Sequence, residues 1–442
     1  MVSSNAIRYA AQHLLNVAFP SCSDPHFEVS PHDGCAVVKF GDAVFRIPLF
    51  NDGQWDSFLS GTADVAHVRN FDNSCKIPLF FATGDDFHSG LSDNEITVSS
   101  DILTPSFALL SCFEERVSAH FDSHGRSMYD FSLASKYGII DMPLVDEYAM
   151  LLRKAVRELF PGKFNVSPRR PRTVLTHDID ILERFRSFPQ AMRSILGRDM
   201  LLNRSLKDTV ESFRNYRDWR KSRFNDPYVK QILDFIDMSE KNNVEQHLFF
   251  KAQKFGESDT TYDISDDFAV KVVREVCNRG GDVGIHGSYA SAVDPQLLAE
   301  EKSRLEKVAG RKVSRSRQHY LRAGFSERPN SVEVWEEAGI SDDYSVGFAE
   351  RCGFKCGTCH PFPLYNVAED RPSSVIEHPL VLMDGTLFDY MKLSVKDSET
   401  TMKTLKQKSY SVEGDFTVLW HNHTTTRNYR ELYETVFLNL LV

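Results

Sequence analysis

Long apolar runs are missing from this 442-residue sequence, and no stretch approaches the roughly 20 apolar residues that a transmembrane helix needs. The first residues, MVSSNAIRYAAQHLLNVAF, also lack the basic start and the uninterrupted apolar core of a signal peptide. We therefore expect no membrane span, no export and a cytoplasmic location. Thiols stay reduced in that compartment, so the eight cysteines predict no disulfide framework.

Positive charge is also in deficit. The chain has 52 Lys and Arg against 62 Asp and Glu, and its net charge of -10 argues against a nucleic-acid-binding protein. A hydrophobic content of 41%, with 32 Phe, excludes a disordered chain. The length is about two to three times that of a typical domain, so two domains are expected.

The first 165 residues mix short β-like runs with helical patterns. Two apolar runs, 36–40 and 43–47, are separated by a Gly-Asp pair, which is typical of a β-hairpin. Residues 7–17 and 141–160 instead follow helical spacing. The stretch PGKFNVSPRRPR then predicts a linker. We expect a smaller α+β domain over 1–165 and a second domain over 166–442.

The second domain alternates strand and helix patterns, which indicates a parallel α/β sheet or barrel. The predicted strands span 173–178, 244–251, 282–288, 313–321, 340–347, 355–360 and 416–421. The predicted helices between them span 227–241, 265–279 and 293–309. In such folds the chemistry gathers at the carboxyl ends of the strands.

The first of these strand ends carries the sequence His177-Asp178-Ile179-Asp180. Two carboxylates that lose solvation side by side need compensation, and a divalent metal is the commonest one. A helix cap is the alternative interpretation, because Asp180 and Glu183 have the spacing of a capping box. Further polar clusters follow four other predicted strands, namely His286, Arg317 with His319, Asp342-Asp343, and His421 with His423. Five clusters at five strand ends favour a site over a cap.

Two other segments have open interpretations. Cys352, Cys356, Cys359 and His360 could bind zinc, but they lack the two separated ligand pairs of a typical structural site. We expect buried thiols along a strand instead. Residues 183–225 are Arg-rich and break the alternation. A solvated helical face is the default interpretation, and a basic lip that attracts anionic glycans, a pyrophosphate-linked carrier or a membrane surface is the alternative.

Four motifs in the second domain carry a resemblance to a known family. They are Leu175-Thr176-His177-Asp178-Ile179-Asp180, Ile285-His286-Gly287-Ser288-Tyr289-Ala290-Ser291, Ser316-Arg317-Gln318-His319-Tyr320-Leu321-Arg322 and Leu419-Trp420-His421-Asn422. In this order they resemble the polysaccharide deacetylase superfamily, the NodB-homology enzymes of carbohydrate esterase family four. They are most similar to a bacterial branch with an uncharacterised amino-terminal domain, and Asp122-Ser123-His124-Gly125-Arg126 is similar to that branch too. We expect a turn at His124-Gly125-Arg126, and a segment that faces the second domain is the alternative.

The resemblance implies an irregular seven-stranded (β/α) barrel that removes acetyl groups from sugars with a bound divalent metal. It implies that Asp178 is the general base and that Asp180 and His286 are metal ligands. Arg317 matches the arginine that orients the base, and His421 matches the histidine that protonates the leaving amine. His177 is expected to pack or hydrogen-bond beside the metal, and His423 is a neighbour of undefined role.

The chain departs from the family pattern at its second motif. Where the family has a second histidine this chain has Ala290, followed by Ser291, which we expect near the metal. We hypothesise that His319, which stands in place of a family proline, supplies the third ligand. The alternative is that His319 hydrogen-bonds Asp178.

The resemblance implies zinc as the metal, with cobalt or nickel as alternatives, and an acetylated sugar or glycan precursor as the partner. We expect a hydrolase that removes an acetyl group, most simply N-acetyl, from a cell-surface polysaccharide or its precursor. Two alternatives stay open. One is a related carbon–nitrogen hydrolase acting on a non-sugar amide, and the other is a catalytically weakened glycan-binding module.

Overall fold

The computed structural model describes residues 2–20, 27–32, 34–91, 94–161, 166–202, 206–254, 259, 261–326, 328–424 and 429–440. The strands within these ranges are β1 (Phe27–His32), β2 (Cys35–Phe40), β3 (Ala43–Pro48), β4 (Val65–Arg69), β5 (Lys76–Phe80), β6 (His88–Leu91), β7 (Glu95–Val98), β8 (Arg172–Ile179), β9 (Glu245–Lys251), β10 (Val283–Gly287), β11 (Arg315–Gln318), β12 (Asp342–Asp343), β13 (Phe362–Asn366), β14 (Arg371–Glu377), β15 (Leu382–Met383) and β16 (Asp415–Leu419).

The α-helices are α1 (Ser4–Ala18), α2 (Asp52–Ser60), α3 (Leu103–Leu110), α4 (Glu114–Val117), α5 (Leu133–Lys136), α6 (Leu144–Leu159), α7 (Phe188–Met192), α8 (Leu206–Lys221), α9 (Pro227–Asn242), α10 (Asp267–Asn278), α11 (Pro295–Ala309), α12 (Ser331–Glu337), α13 (Val395–Ser411), α14 (Arg430–Leu432) and α15 (Leu438–Leu440). A π-helical turn, Arg193–Leu202, joins α7 to α8. No helix among the described residues is both long and apolar enough to cross a membrane.

The amino-terminal region, up to residue 161, contains the predicted hairpin and both predicted helices. Strands β2 and β3 pair antiparallel, with Phe40 opposite Ala43, which confirms the hairpin. They belong to a five-stranded sheet in the order β1-β2-β3-β7-β6. Alternate side chains of β2 are buried, as expected for a sheet with one face on a core. Helices α1 and α6 pack against each other through buried apolar residues.

Helix α6 also carries buried charges that reach the α/β region, residues 166 onward. Arg153 pairs with Glu413 at 2.5 Å, and Asp146 accepts hydrogen bonds from Thr358 Oγ1 at 2.6 Å and from Cys359 N at 2.8 Å. The buried apolar cluster is continuous across the two regions. The domain boundary at residue 165 stays a prediction.

The α/β region is built on a nine-stranded sheet in the order β13-β14-β12-β11-β10-β9-β8-β16-β15. All neighbours pair parallel except β13 with β14, which are antiparallel. The predicted α/β class is therefore confirmed, and so are helices α9, α10 and α11. The strand number differs from the predicted seven. Among the strands that the structure describes, β13 and β15 are the two edges, so the hydrogen-bonded sheet is open.

One predicted strand is wrong, because residues 355–360 form turns. Gly357 there has a left-handed φ of 64°, and the carboxylate of Asp146 takes the peptide N–H of Cys359 that a sheet would need. The thiols of Cys352, Cys356 and Cys359 are buried as expected, but in turns and not along a strand.

Glu147 on α6 provides a test of the buried charges in the amino-terminal region. Its side chain is only 5% exposed, and burial raises its pKa to about 7, against about 4.3 in an unfolded chain. The folded state therefore binds this proton more tightly than the unfolded chain does. The stability that this proton binding contributes is lost as the pH rises from about 4.3 to about 7. We expect the stability of Glu147→Gln to exceed that of the wild type by on the order of 3 kcal/mol at pH 8 and by much less at pH 5.

Denaturant unfolding at both pH values measures this difference. Glu240→Gln, a change at an exposed position on α9, serves as the control and should behave as the wild type does. A difference between Glu147→Gln and the wild type that does not change with pH would contradict the assignment.

Candidate metal centre and active site

Six of the residues predicted from the sequence line one pocket at the carboxyl edge of the large sheet, with a volume of about 230 Å³. They are Asp178, Asp180, His286, His319, His421 and His423. A larger groove of about 900 Å³ opens at the opposite edge, beside Arg172 and Glu245, and none of the predicted site residues lines it. The predicted site therefore corresponds to the smaller pocket.

Strand β8 separates its polar side chains by alternation. Asp178 and Asp180 face the pocket, because residues two apart on a strand share a face. The His177 ring lies on the other face, where it stacks on Phe235 of α9 at 3.7 Å and its Nδ1 is 2.8 Å from the carbonyl oxygen of Trp420. Burial lowers the pKa of His177 to about 3, so the ring is neutral. The sequence analysis expected His177 beside the metal, but its ring packs against the helix layer, away from the pocket that Asp178 and Asp180 face.

No helix begins at Asp180, so the capping-box interpretation is wrong. The next helix along the chain, α7, begins at Phe188, and Ser187 Oγ caps it by accepting a hydrogen bond from the backbone of Gln190. Glu183 pairs with Arg223 at 2.5 Å instead of closing a capping box. The carboxylate of Asp180 is thus available to the pocket.

Asp180, His286 and His319 bring three potential ligand atoms within 4.8 Å of one another. Oδ1 of Asp180 is 3.3 Å from Nε2 of His286 and 3.4 Å from Nε2 of His319. Among the residues that the structure describes, no other group of His, Cys, Asp and Glu side chains meets this spacing. The grouping includes His319, the residue hypothesised from the sequence to replace the histidine missing at Ala290.

The His286 ring is oriented by a backbone carbonyl. Its Nδ1 is 2.8 Å from the carbonyl oxygen of Arg317, an acceptor that keeps a proton on Nδ1, so Nε2 donates to Asp180 when the ring is protonated and offers a lone pair when it is neutral. This Nε2 and Oδ1 of Asp180 are buried and 3.3 Å apart, and neither makes a hydrogen bond of good geometry, although Lys251 pairs with that oxygen at 3.2 Å. Such unpaired polar atoms are rare in proteins and need an explanation. A cation bound between the two atoms would satisfy both.

His319 lies at the end of β11 in a turn where Tyr320 and Leu321 have left-handed φ values of 63° and 53°. Its Nδ1 is 2.8 Å from Oδ2 of Asp259, which also accepts the N–H of Tyr289 at 2.9 Å. Burial alone would raise the pKa of Asp259, but these two donors lower it to about 2. Burial lowers the pKa of His319. A neutral ring held in this way can offer Nε2 to a metal.

Lys251, at the end of β9, reaches into the same group of atoms. Its Nζ is 3.2 Å from Oδ1 of Asp180 and 3.1 Å from Nε2 of His319, and it donates to the carbonyl oxygen of Asp259 at 3.1 Å. The residue is 3% exposed. An ammonium group here and a divalent ion would use the same lone pairs, so the two cations compete for the site.

The donor set nevertheless fits a divalent metal. Two imidazole nitrogens and one carboxylate oxygen are the ligands of many catalytic zinc sites, which keep a fourth position open. The two buried atoms without partners, on Asp180 and His286, lie within this set. Cobalt and nickel accept the same donors. Zinc stays the prediction made from the sequence.

Asp178 stands beside these ligands with one carboxylate oxygen unpaired. Its Oδ2 is 3.6 Å from Nε2 of His286, and its Oδ1 is buried without a hydrogen-bond partner. Arg317 is fully buried and donates to Thr176 Oγ1 at 2.9 Å, while its Nε is 4.0 Å from Oδ1 of Asp178. Arg317 therefore acts on Asp178 through its charge and not through a hydrogen bond.

His421 is held by a carboxylate that the sequence did not predict. Asp384 accepts from the backbone N–H of His421 at 3.0 Å and contacts its Nδ1 at 2.7 Å, while Thr424 Oγ1 donates to the same carboxylate. Nε2 of His421 faces the pocket, 3.7 Å from Oδ2 of Asp180. Burial opposes protonation of the ring, but Asp384 and then Asp180 raise the pKa of His421 to about 10. His423 lines the pocket beside it, and burial lowers its pKa.

Two polar groups predicted near the site lie elsewhere. Ser291 is buried on a turn after β10, where its Oγ donates to the carbonyl oxygen of Ser288 and accepts from Gln318. Asp343 is buried in the sheet, accepting hydrogen bonds from Ser316 and Ser345. Neither side chain lines the pocket.

The amino-terminal region contributes Arg126 to the pocket lining. The segment around Gly125, which has a left-handed φ of 76°, is the turn predicted from the sequence. Arg126 pairs with Asp122 at 2.6 Å and donates to the carbonyl oxygen of Tyr320 at 2.7 Å. His124 stacks on the Tyr320 ring at 4.5 Å. The turn thus faces the pocket as well, an alternative that the sequence had left open.

The sequence analysis did not predict Lys251, Asp259 or Asp384, which contact Asp180, His319 and His421. Lys251 ends a predicted strand and could have been found by the rule that identified His286. Asp384 follows a strand of only two residues, and Asp259 follows no strand closely. Neither Asp259 nor Asp384 lies at the end of a strand that the sequence predicted.

Comparisons with known proteins add the following findings. A family of unknown function, DUF7033, matches residues 39–161. No curated protein matches the chain. The solved structures similar to it include a protein assigned as a polysaccharide deacetylase from Mycobacterium smegmatis, at 13% identity and a TM-score of 0.36, covering 63% of this chain and 89% of that one.

Two further similar structures are an allantoinase, Puue, and a pseudoenzyme of the CE4 family from Bacillus anthracis. The allantoinase is 14% identical, with a TM-score of 0.38 and coverage of 64% of this chain and 85% of that one. The pseudoenzyme is 9% identical, with a TM-score of 0.28 and coverage of 62% of each chain. Values this low assign no function, which must be inferred from the residues of the pocket.

Asp259 provides a test of the site that does not depend on any reaction. A carboxylate that orients a ligating histidine typically improves metal affinity by about 10–100-fold. We therefore expect Asp259→Asn to weaken the binding of Zn²⁺ or Co²⁺ by about that factor, measured by competition with a chelator. Asp267→Asn, an exposed change on α10, is the matched control. An unchanged affinity in Asp259→Asn would show that His319 is not a ligand.

Proposed function

We propose that this chain is a metal-dependent hydrolase that removes an acetyl group, most simply N-acetyl, from a sugar of a cell-surface polysaccharide or its precursor. The proposal rests on one observation: three groups of different chemistry converge on one pocket. A three-residue ligand set, an unpaired carboxylate on Asp178 and a histidine held by Asp384 all lie there. The motif resemblance in the sequence supports the same class of reaction.

Asp180, His286 and His319 would hold the metal. When bound, a divalent ion lowers the pKa of a coordinated water from about 15.7 to near 7 and polarises a carbonyl oxygen. Asp178 would take the proton from the attacking water with its unpaired Oδ1. The buried guanidinium of Arg317 lies 4.0 Å from that oxygen and places a positive charge beside it.

His421 would protonate the leaving amine. Asp384 holds Nδ1 of the ring and so directs Nε2 into the pocket. The arrangement of a buried carboxylate behind a histidine that faces the substrate is a general way to orient an acid–base group. Nε2 lies on the Oδ2 side of Asp180, whereas His286 and His319 lie on the Oδ1 side. His421 thus lies on a different side of Asp180 from His286 and His319.

The remaining pocket walls suit an acetylated sugar. Leu321, Met383 and Leu419 form an apolar cluster that lines the pocket and can receive a methyl group. Tyr320 and Tyr390 are exposed aromatic side chains at the same pocket. Aromatic faces offer a flat apolar surface on which a sugar ring can pack.

A second candidate function is a glycan-binding module without catalysis. The position of Lys251 favours it, because an ammonium group 3.2 Å from Asp180 can compensate the carboxylate in place of a metal. Metal content separates the two candidates. Stoichiometric zinc, cobalt or nickel after gentle purification supports the hydrolase, whereas a metal-free protein that binds sugars supports the module.

Acetate release after metal loading tests the hydrolase directly, on a panel of N-acetylated sugars, O-acetylated sugars and small non-sugar amides. We expect turnover on an acetylated sugar, and near-complete loss of it in Asp178→Asn and Asp180→Asn. Only Asp180→Asn should also lose metal. His421→Ala should lower kcat by on the order of 10²–10⁴-fold, the usual contribution of one acid–base group. Asp85→Asn, an exposed change in the amino-terminal region, is the control. Normal turnover in Asp180→Asn would refute the proposed site.

Lys251 provides a second test of the metal centre. Replacing it with Met removes a positive charge 3.2 Å from Oδ1 of Asp180 and 3.1 Å from Nε2 of His319, two atoms that would hold the metal, and keeps the length of the side chain. We expect Lys251→Met to bind Zn²⁺ or Co²⁺ at least about tenfold more tightly, measured by calorimetry. Lys271→Met, on the exposed face of α10, should leave the affinity unchanged. An equal or weaker affinity in Lys251→Met would show that the two cations do not compete.

A further inference from the structure

Large apolar side chains lie exposed on the helical segment that follows β8. Twelve large apolar or aromatic side chains are exposed among the described residues, and seven of them fall between residues 188 and 213. These seven, named here the apolar stripe, are Phe188, Leu196, Met200, Leu201, Leu206, Val210 and Phe213. Proteins rarely leave such a concentration of apolar surface in water without a partner for it.

Helix α8 shows that this exposure follows a pattern. Leu206, Val210 and Phe213 have the i, i+4, i+7 spacing of one helix face, and all three are exposed. The residues of α8 that are buried are Thr209 and Ser212. A helix on a protein surface normally buries its apolar face and exposes its polar one. The inward face of α8 also carries Tyr216 and Trp219, so Leu206, Val210 and Phe213 form a second apolar face that is turned outward.

The segment does not need the apolar stripe for its own packing. Phe185, Ala191 and Ile195 form a small core of their own, separate from the main core, and Tyr216 and Trp219 pack against it. The π-helical turn and α8 contact each other around this core. The apolar stripe therefore presents its side chains outward from a segment that is already packed.

Positive charge surrounds the apolar stripe. Residues 183–225 contain eleven Lys and Arg against five Asp and Glu, in a chain whose net charge is -10. Arg214, Arg217 and Arg220 are exposed on α8 itself. A helical segment that combines exposed apolar residues with an excess of arginine lies favourably in the interface of an anionic bilayer.

A second copy of the chain fits this surface less well. Two-fold interfaces pair the same patch with itself, so a dimer through the apolar stripe would place one basic segment against another. Like charges brought together in this way disfavour association. Charge complementarity therefore favours an anionic lipid surface as the partner.

The segment also leaves the sheet at the pocket edge. It begins directly after Asp180, and Asn422 beside His421 donates to the carbonyl oxygen of Ile181 at 2.9 Å. Arg430 pairs with Glu211 on α8 at 2.6 Å. The base of the segment is therefore anchored beside His421, at the same edge of the sheet as the pocket.

We propose that residues 183–225 dock the protein on an anionic phospholipid surface, with the apolar stripe inserted and the arginines at the headgroups. The pocket edge then lies next to the bilayer, where a substrate carried on a lipid would be presented. The docking itself does not depend on the proposed hydrolysis, because it uses none of the pocket residues.

Co-sedimentation with vesicles tests the docking. Vesicles of phosphatidylcholine alone are compared with vesicles that also contain about one third phosphatidylglycerol, at about 0.1 M and 0.5 M salt. We expect at least about tenfold stronger binding to the anionic vesicles at low salt, and a clear loss at high salt. Asp180→Asn should bind as the wild type does, which separates this test from the test of catalysis.

Two triple variants identify the contacts. L206S/V210S/F213S removes apolar residues and R214Q/R217Q/R220Q removes charge, and each should weaken vesicle binding by at least about tenfold. The matched controls are F71S/V117S, at exposed apolar positions of the amino-terminal region, and K241Q/K271Q/K396Q, at exposed lysines outside the segment. Both controls should bind as the wild type does.

Three outcomes would overturn the proposal. One is the absence of binding to anionic vesicles at low salt. Another is binding that neither triple variant weakens. The third is a dimer, seen by light scattering without lipid, that L206S/V210S/F213S abolishes, because a second copy would then cover the apolar stripe.

Discussion

Asp178 and Asp180 are separated by one residue at the end of a buried strand. The loss of solvation of their two carboxylates is the constraint on which the rest of the site depends. Both lose solvation there, which is costly without compensating charge nearby. Burial alone would raise the pKa of Asp180, but His286, Lys251 and His421 hold it well below its ordinary value. The compensating groups come from three different strands or the turns after them, so the parallel sheet itself assembles the site.

Three of the four pocket histidines, His286, His319 and His421, share one arrangement. Each uses Nδ1 for an internal acceptor and directs Nε2 toward Asp180. The acceptors differ, being a backbone carbonyl for His286 and the carboxylates of Asp259 and Asp384 for the other two. Because each ring is fixed from behind, the pocket is organised before any ligand binds, which is what both metal binding and proton transfer require.

Local sequence patterns predicted the parts of the site that depend on strand periodicity. His286, His319 and His421 follow strands whose positions were predicted, and the carboxyl edge of a parallel sheet brings them together. The patterns could not predict Asp259 or Asp384, because these come from loops whose paths depend on the whole fold. The same limit explains residues 355–360, where a carboxylate from α6, more than 200 positions away, takes a backbone N–H that a strand would have used.

The amino-terminal region is part of the pocket through its effect on the turn that carries His319. A left-handed backbone costs about 1–3 kcal/mol for a residue other than glycine, and Tyr320 and Leu321 both adopt it. Other contacts must offset this cost. Arg126 donates a hydrogen bond to the carbonyl oxygen of Tyr320, and His124 stacks on the Tyr320 ring. The position of His319, the proposed third metal ligand, is therefore set jointly by β11 and by a turn almost 200 residues earlier in the chain.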